Sequence, residues 1–169
     1  MREAELDHAF AEGLERSPHL RTWLLAGGRF ARYAQTARLM QAEQAAARKA
    51  AHWWKHWWCT MPDGTQGETD IFAVFEDPSA GRFAVHVENK PPHGVLGYAQ
   101  AAAYRRRAAF KANDPRWLDY RDFETVLLAP AAFLEAHGEC LRQFDRGIAY
   151  EEVAEFVPLF ARGAAAGSS

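Results

Sequence analysis

The chain has 169 residues, 49% of them hydrophobic, and a formal net charge of −2. This length suits one domain with a sizeable core, and the apolar content, which includes six Trp and eleven Phe, excludes disorder for most of the chain. The near-neutral charge excludes a globally basic nucleic-acid binder, so any such binding must come from a local patch.

Targeting signals and cysteine usage exclude further classes. The N-terminal stretch MREAELDHAF is charged and lacks the apolar segment of a signal peptide, and no apolar run approaches the roughly 18 residues of a membrane span. Cys59 and Cys140 are too few for a disulfide framework and do not lie in a zinc-ligand spacing. We expect a cytoplasmic protein without a membrane segment.

The N-terminal part of the chain is predicted to be helical. Residues 3–25 carry an apolar stripe with a break or a second helix start at Ser17-Pro18, because Ser caps helices and Pro suits their first turn. Residues 30–51, rich in Ala, Gln and Arg, predict one long helix. Glu43 lies beside the inward stripe of that helix, where it is either a solvated side chain or an acid directed at a site.

The run HWWKHWWC over residues 52–59 is the most unusual stretch of the sequence. In a helix His52 and His56 would share a face and resemble a metal-binding pair. The aromatic density instead favours a strand covered on both faces. A functional alternative is stacking on nucleic-acid bases, where aromatic side chains contribute about 1–3 kcal/mol per base.

A turn follows at residues 60–64, and Asp63-Gly64 is typical turn chemistry. Asp63 is therefore rejected as a site acid. Glu68 is a closer rival to Asp70, but its place before the next strand leaves its direction open.

Two apolar runs next to a short loop predict a β-hairpin. The strands are residues 69–76 and 82–90, and the loop Asp-Pro-Ser-Ala-Gly at 77–81 is a strong turn signal. If Glu76 pairs with Arg82 across the loop, the register places Asp70 opposite Glu88. Asp70, Glu88 and Lys90 then share one face, and the opposite face is an uncharged core surface: Ile71, Ala73, Phe75, Phe83, Val85 and Val87.

Two carboxylates about 5 Å apart across a strand pair repel each other unless a cation or a shared proton lies between them. Carboxylate and carbonyl oxygens are the ligands that Mg²⁺ prefers. Lys90 on the same face would stabilise charge that develops on a phosphate or assist the attack of water. The alternative is an exposed sheet end with ordinary surface charges, since such triplets also occur by chance.

The next predicted helix spans residues 94–111 and carries Gln100 and Tyr104 four residues apart, on one face. With Asp70 in GETDIF, Glu88 and Lys90 in VENK, and these two residues in QAAAY, the chain resembles the PD-(D/E)XK nuclease superfamily. Within it the pattern is similar to the RecB-like and lambda-exonuclease-like branch with a QxxxY helix. The resemblance is strong over the middle third of the chain and weak over most of the rest.

The remaining predicted elements are short. FETVLLA at 123–129 predicts a buried strand, and residues 131–137 predict a helix with 140–144 as a candidate extension. Residues 148–150 predict an edge strand and 151–160 a last helix. The resemblance implies an α/β (α+β) fold with a restriction-endonuclease-like αβββαβ core, a mixed central sheet flanked by helices, and extra terminal helices. We expect one domain over residues 1–162 and a disordered tail at 163–169.

The resemblance also implies an activity, namely a Mg²⁺- or Mn²⁺-dependent DNA phosphodiester hydrolase. Asp70 and Glu88 would ligate the metal, the Asn89 carbonyl is a further candidate, and Glu43 is a candidate because the family's first core helix often lends an acid. Lys90 would orient or activate water, and Gln100 and Tyr104 would hold the DNA phosphate and the Lys90 environment.

The only dense basic cluster follows on the QxxxY helix: Arg105, Arg106, Arg107 and Lys111. It would position phosphates or form a solvated helix face. A second function class is a non-catalytic DNA-binding or assembly subunit that keeps the fold, whose protein partner in repair, recombination or defence supplies DNA affinity.

Overall fold

A computed structural model describes residues 2–166. Within them the helices are α1 (Glu3–Arg16), α2 (Pro18–Ala26), α3 (Gln41–Arg48), α4 (Tyr98–Lys111), α5 (Ala131–Ala136), α6 (Gly138–Leu141), α7 (Tyr150–Val153) and α8 (Leu159–Ala165). The strands are β1 (Arg38–Leu39), β2 (Trp57–Thr60), β3 (Gln66–Thr69), β4 (Ile71–Asp77), β5 (Gly81–Asn89), β6 (Asp122–Ala129) and β7 (Arg146–Ala149). Short 3₁₀ turns lie at Ala31–Tyr33 and Pro115–Trp117.

A five-stranded mixed sheet in the order β1-β4-β5-β6-β7 forms the centre of the α/β fold. The pairs β1–β4 and β4–β5 are antiparallel, whereas β5–β6 and β6–β7 are parallel. Helix α4 makes the crossover between β5 and β6 that a parallel pair requires. Strands β2 and β3 form a separate two-stranded hairpin. The predicted mixed central sheet flanked by helices is confirmed.

The predicted register of the central hairpin is confirmed, since Glu76 pairs with Arg82 and Ile71 pairs with Val87. The uncharged face packs into the main core with α1, α2 and α8. The other face is also buried, because Phe72 and Val74 pack with Trp57 of β2. The sheet is thus covered on both sides, and polar side chains of the hairpin can meet only at its ends.

The helix predicted over residues 30–51 is wrong for most of its length. Only α3 is helical there, and it follows the 3₁₀ turn and the short edge strand β1. The Met40 N–H donates to the Val74 carbonyl, and the buried Gln44 side chain donates to the Phe72 carbonyl and accepts from the Val74 N–H. This segment therefore supplies hydrogen-bond partners to the main-chain groups at the open edge of β4. Those tertiary contacts outweigh the helix propensity of an Ala-rich run.

The helices predicted for residues 3–25, with a break at Ser17-Pro18, are confirmed. Helix α1 ends at Arg16, and the Ser17 side chain accepts from the Leu20 N–H at 3.1 Å to cap α2. The buried stripe of α1 contains Leu6, Phe10 and Leu14. No helix within residues 2–166 is long and apolar enough to cross a membrane.

The C-terminal prediction needs correction. The single helix predicted for residues 151–160 is divided into α7 and α8, and α8 continues to Ala165. Residues 163–165 are therefore helical, although they were predicted to belong to a disordered tail. A Cβ at Gly163 would lie 3.1 Å from the Tyr150 ring, so this part of α8 packs closely on α7. Residues 167–169 of the predicted tail lie outside the described residues.

Candidate metal-dependent hydrolytic site

Asp70 lies at a break between two strands. The predicted strand 69–76 is divided, because Thr69 ends β3 while Ile71 begins β4, and Asp70 belongs to neither ladder. Its Oδ2 accepts from the Asn89 N–H at 2.9 Å, and its own N–H donates to the Tyr104 hydroxyl at 3.2 Å. The carboxylate is thus fixed beside the end of β5, as the hairpin register predicted.

Glu88 is the centre of the site and is only 1% exposed. Its Oε1 accepts from Lys90 Nζ at 2.6 Å and from Gln100 Nε2 at 2.8 Å. The Tyr104 hydroxyl lies next to Asp70 and the ring is fully buried. The break between β3 and β4, the end of β5 and helix α4 therefore bring together all five side chains that the sequence singled out for this site.

The electrostatics of the site are dominated by acids. Burial and then the Glu88 charge hold the pKa of Asp70 well above its ordinary value. Burial also raises the pKa of Glu3, which the Lys90 charge lowers in part. Burial by itself would lower the pKa of Lys90, but the surrounding carboxylates, Glu88 first, raise it overall. Lys90 is therefore an ammonium group, and its one charge faces several carboxyl groups.

Two further acids, Glu3 and Asp7 of α1, were missed by the sequence analysis. Asp7 is buried, and its Oδ1 accepts from Asn89 Nδ2 at 2.6 Å. Burial raises the pKa of Asp7 to about 7, partly offset by the Asn89 hydrogen bond and assisted by the Glu3 charge. Their spacing of four residues places both acids on one helix face. That spacing was the available signal, but periodicity alone does not tell where a helix docks.

Asn89, the residue between Glu88 and Lys90, connects the site to the core. Its side chain is fully buried, and its Oδ1 accepts from the Tyr150 hydroxyl at 2.5 Å while its Nδ2 donates to Asp7. Its main-chain N–H points toward Asp70. In a strand the N–H and C=O of one residue point to the same side, so the Asn89 carbonyl also faces the place where β4 is absent.

These donors suit a hard divalent cation. Asp70 and Glu88 offer carboxylate oxygens, and the Asn89 carbonyl offers a third oxygen on the same side. Mg²⁺ is commonly bound by one or two carboxylates and keeps several waters. Within residues 2–166 no three His, Cys, Asp or Glu side chains are grouped closely enough to hold a metal, so the protein oxygens offered here are the two carboxylates and the Asn89 carbonyl. The set fits Mg²⁺ or Mn²⁺.

Glu43, the third acid proposed from the sequence, does not join this site. Its Oε1 accepts from Arg38 Nη1 at 2.7 Å, and Arg38 also pairs with Glu76 at 3.0 Å. Glu76 is at the opposite end of β4 from Asp70. The prediction that Glu43 ligates the metal is corrected because residues 30–51 do not form the helix on which it depended. Glu3 and Asp7 of α1 lie near the site instead.

Two other acids lie outside the site: Asp63, which was rejected, and Glu68, whose direction the sequence left open. Asp63 Oδ1 accepts from the Thr65 N–H at 3.0 Å within the turn between β2 and β3. Glu68 Oε1 accepts from the His56 N–H at 2.8 Å. The helical histidine pair does not form, since His56 precedes β2 and the His52 ring lies 5.5 Å from that of His8.

The basic cluster of α4 is divided between surface and interior. Arg105 pairs with Asp145, and Arg106 Nη2 lies 3.3 Å from Asp63 Oδ2. Arg107 is buried, with its guanidinium 4.5 Å from the Tyr104 ring and Nη2 donating to the Glu68 carbonyl at 3.3 Å. Lys111 is buried beside Asp114, at 3.3 Å. Arg107 and Lys111 therefore support the fold around the site, and only Arg105 and Arg106 are exposed.

Comparison with known protein families, curated proteins and solved structures found no match. Five side chains meet at the end of the central hairpin. There, two acids, one lysine, one glutamine and one tyrosine are held by three different elements.

Proposed function

We propose that this chain is a Mg²⁺- or Mn²⁺-dependent DNA phosphodiester hydrolase of the PD-(D/E)XK type. The observation that supports this most is the convergence of Asp70, Glu88, Lys90, Gln100 and Tyr104 at one end of the β4–β5 hairpin. The chain order of hairpin, QxxxY helix and a strand parallel to β5 agrees with the restriction-endonuclease-like αβββαβ core that the resemblance implies.

The excess of acid is the electrostatic argument for a cation. Carboxyl groups whose pKa is raised by burial and by one another are stabilised when a cation binds between them. Asp70 and Glu88, with the Asn89 carbonyl, would hold it. The bound ion would supply a Lewis acid and lower the pKa of a coordinated water.

Lys90 would act as a charged group in this reaction. Because its pKa is raised, it remains protonated and stabilises negative charge that develops on the phosphate oxygens. Gln100 holds Glu88 Oε1 from the exposed side of α4 and fixes that carboxylate for the cation. The Tyr104 hydroxyl accepts from the main-chain N–H of Asp70 and so fixes the position of that residue. Glu3 and Asp7 add negative charge on the side of α1.

The test is a cleavage assay on linear and circular, single- and double-stranded DNA, with Mg²⁺, Mn²⁺ or EDTA. The wild-type chain is compared with Lys90→Ala, whose fold is checked by circular dichroism. We expect cation-dependent cleavage that the variant loses. Cleavage that persists in EDTA, or a fully active folded Lys90→Ala, would contradict the proposal.

A second candidate is a non-catalytic DNA-binding or assembly subunit, in which a protein partner supplies DNA affinity. The formal charge of −2 and the pairing of Arg105 and Arg106 with acids favour it. Cation binding distinguishes the two functions. A hydrolase should bind Mn²⁺, and Asp70→Asn should weaken that binding. A chain that neither cleaves DNA nor binds Mn²⁺ would support the non-catalytic alternative.

A further inference from the structure

The proposed site is recessed. Glu88 is 1% exposed and Lys90 is 8% exposed, because α4 covers them from one side and α1 from the other. Duplex DNA is stiff, with a persistence length of about 150 bp. A flexible unpaired strand can bend a phosphate into such a recess more readily than a duplex can.

The charges around the site also disfavour a duplex. Affinity for duplex DNA comes mainly from the phosphates that Lys and Arg neutralise. Here Arg107 and Lys111 are buried, and the exposed Arg105 and Arg106 each pair with an aspartate. The α4 cluster therefore offers little free positive charge to a duplex, and a contact that does not depend on such charge would favour a single strand.

Trp58 offers such a contribution. It is 56% exposed, whereas Trp53, Trp54 and Trp57 of the same run are buried. Trp58 pairs with Glu68 across the β2–β3 hairpin, so both side chains point to the outer face of that hairpin. Glu68 precedes Asp70 by two residues. Trp58 thus lies opposite a residue that is two positions before Asp70 in the chain.

The Trp58 backbone is held rigidly. The neighbouring Trp57 is fully buried, and its Nε1 donates to the Trp53 carbonyl at 2.9 Å. Its ring lies 4.7 Å from that of Phe72 in β4. A tryptophan side chain has only two rotatable torsions, so on a fixed backbone it loses little conformational freedom on binding, which favours contact with a flat apolar partner.

We infer that the site takes single-stranded DNA, with an unpaired base stacked on Trp58 while a neighbouring phosphate enters the recess at Asp70 and Glu88. This inference rests on the proposed function, which supplies the hydrolysis of that phosphodiester. Stacking serves every base and needs no positive charge. The nearby Glu68 carboxylate is occupied by the His56 N–H and lies 3.3 Å from its ring.

The experiment measures fluorescence anisotropy of a labelled mixed-sequence oligonucleotide, single-stranded or as a blunt duplex, in EDTA so that no cleavage occurs. We expect the wild-type chain to bind the single strand more tightly than the duplex. Trp58→Ala should weaken single-strand binding roughly tenfold, as expected for one lost stacking contact. Trp58→Tyr should retain most of the affinity, because a tyrosine also stacks.

Phe110→Ala is the matched control, since Phe110 is an aromatic side chain of α4 with 44% exposure. Duplex binding equal to or tighter than single-strand binding would overturn the inference, and so would equal losses in Trp58→Ala and Phe110→Ala. A change in the oligomeric state of Trp58→Ala without a loss of DNA binding would assign Trp58 to a contact between copies of the chain, which also overturns it.

Cleavage separates this inference from the proposed function. Trp58-dependent binding of single strands without cation-dependent cleavage supports the inference and contradicts the hydrolase. Cation-dependent cleavage of duplex DNA that Trp58→Ala leaves intact supports the hydrolase and contradicts the inference.

Discussion

The two ends of the β4–β5 hairpin both carry acids and bases, yet their electrostatics are opposite. At the loop end, Glu76 pairs with Arg82 at 2.9 Å and with Arg38 at 3.0 Å, and these hydrogen bonds lower its pKa. At the other end, burial and Glu88 raise the pKa of Asp70. At the loop end the acid is paired with two arginines and is half exposed. At the other end the acids are recessed and outnumber the positive charges.

A structural ion-pair network and a binding site thus differ in the direction in which the pKa of their acids is shifted. Paired surface charges lower the pKa of acids and contribute little to stability, about 0–1 kcal/mol per pair. Acids held close together out of water raise the pKa of one another, and folded proteins keep such arrangements mainly where a cation or a substrate binds.

The largest effect is expected on cleavage. Asp70→Asn and Glu88→Gln each remove a carboxylate from the proposed cation site, and activity should fall by more than the roughly 100-fold loss that follows when a residue that only orients a metal ligand is changed. Glu76→Gln, the matched variant at the loop end, should keep wild-type activity. Equal activities of Glu88→Gln and Glu76→Gln in a DNA cleavage assay would erase the contrast between the two ends.

The pH dependence of stability is the next prediction. Burial raises the pKa of Asp7 to about 7, above the value near 3.9 of an unfolded Asp. The folded state keeps this proton while the unfolded state has lost it, so the stabilisation is full below about pH 4 and is lost as pH rises through about 7. Without divalent cations, the urea midpoint should fall between about pH 5 and pH 8, by the equivalent of a few kcal/mol.

Asp7→Asn should flatten that profile, and Mn²⁺ should raise the midpoint at the upper pH, because cation binding needs ionised carboxylates. The acid at the loop end changes stability with pH in the opposite direction. The pKa of Glu76 is lowered, so its contribution is lost at acid pH. A wild-type midpoint that rises steadily to pH 8 in EDTA would contradict the prediction.

A smaller effect is expected from the hydrogen bond behind Asn89. Tyr150→Phe removes the donor to Asn89 Oδ1 and leaves a buried acceptor unpaired, which should cost about 1–3 kcal/mol of stability. Because Asn89 connects Glu88 and Lys90, cleavage should also fall roughly tenfold. The measurements are urea unfolding and the cleavage rate.

Tyr120→Phe is the control for that variant. Tyr120 is fully buried and donates to the Ala108 carbonyl on the other face of the sheet. It should lose similar stability and keep its cleavage rate at saturating cation. If both variants lose activity in parallel with stability, Tyr150 has no positioning role.

The smallest effect is expected from Gln100→Ala. It removes the exposed donor to Glu88 Oε1 while Lys90 still holds the same oxygen. Cleavage should fall roughly tenfold or less, chiefly through a weaker apparent affinity for Mn²⁺. A loss as large as that of Glu88→Gln would mean that Gln100 itself contacts the reacting phosphate. Titration of Mn²⁺ in steady-state assays distinguishes the two outcomes.

The central hairpin was predictable from the sequence because two local features determine it. The loop at 77–81 sets which residues pair, and strict alternation sets which share a face, so Asp70 and Glu88 could be placed together. Helical spacing placed Gln100 and Tyr104 on one helix face, and the resemblance to the QxxxY branch assigned them to the site. The break at Asp70 was not predicted, since it depends on β3 pairing with β2.

What the sequence missed depends on contacts that are distant in the chain. Glu3 and Asp7 reach the site because α1 docks against β5, some eighty residues later, as the Asp7–Asn89 hydrogen bond shows. Residues 30–51 read as helix because a buried Gln44 that satisfies the edge of β4 has no sequence signature. The α4 cluster read as a basic patch because Asp145 and Asp114 pair with it only in the fold.

The proposed function requires that the recessed end of the hairpin bind a divalent cation through Asp70 and Glu88. Isothermal titration of Mn²⁺ into the wild-type chain, Asp70→Asn and Glu76→Gln tests it most directly. We predict saturable binding to the wild-type chain and to Glu76→Gln, and strongly weakened binding to Asp70→Asn. Absence of binding to the wild-type chain, or equal binding to all three, would contradict the claim.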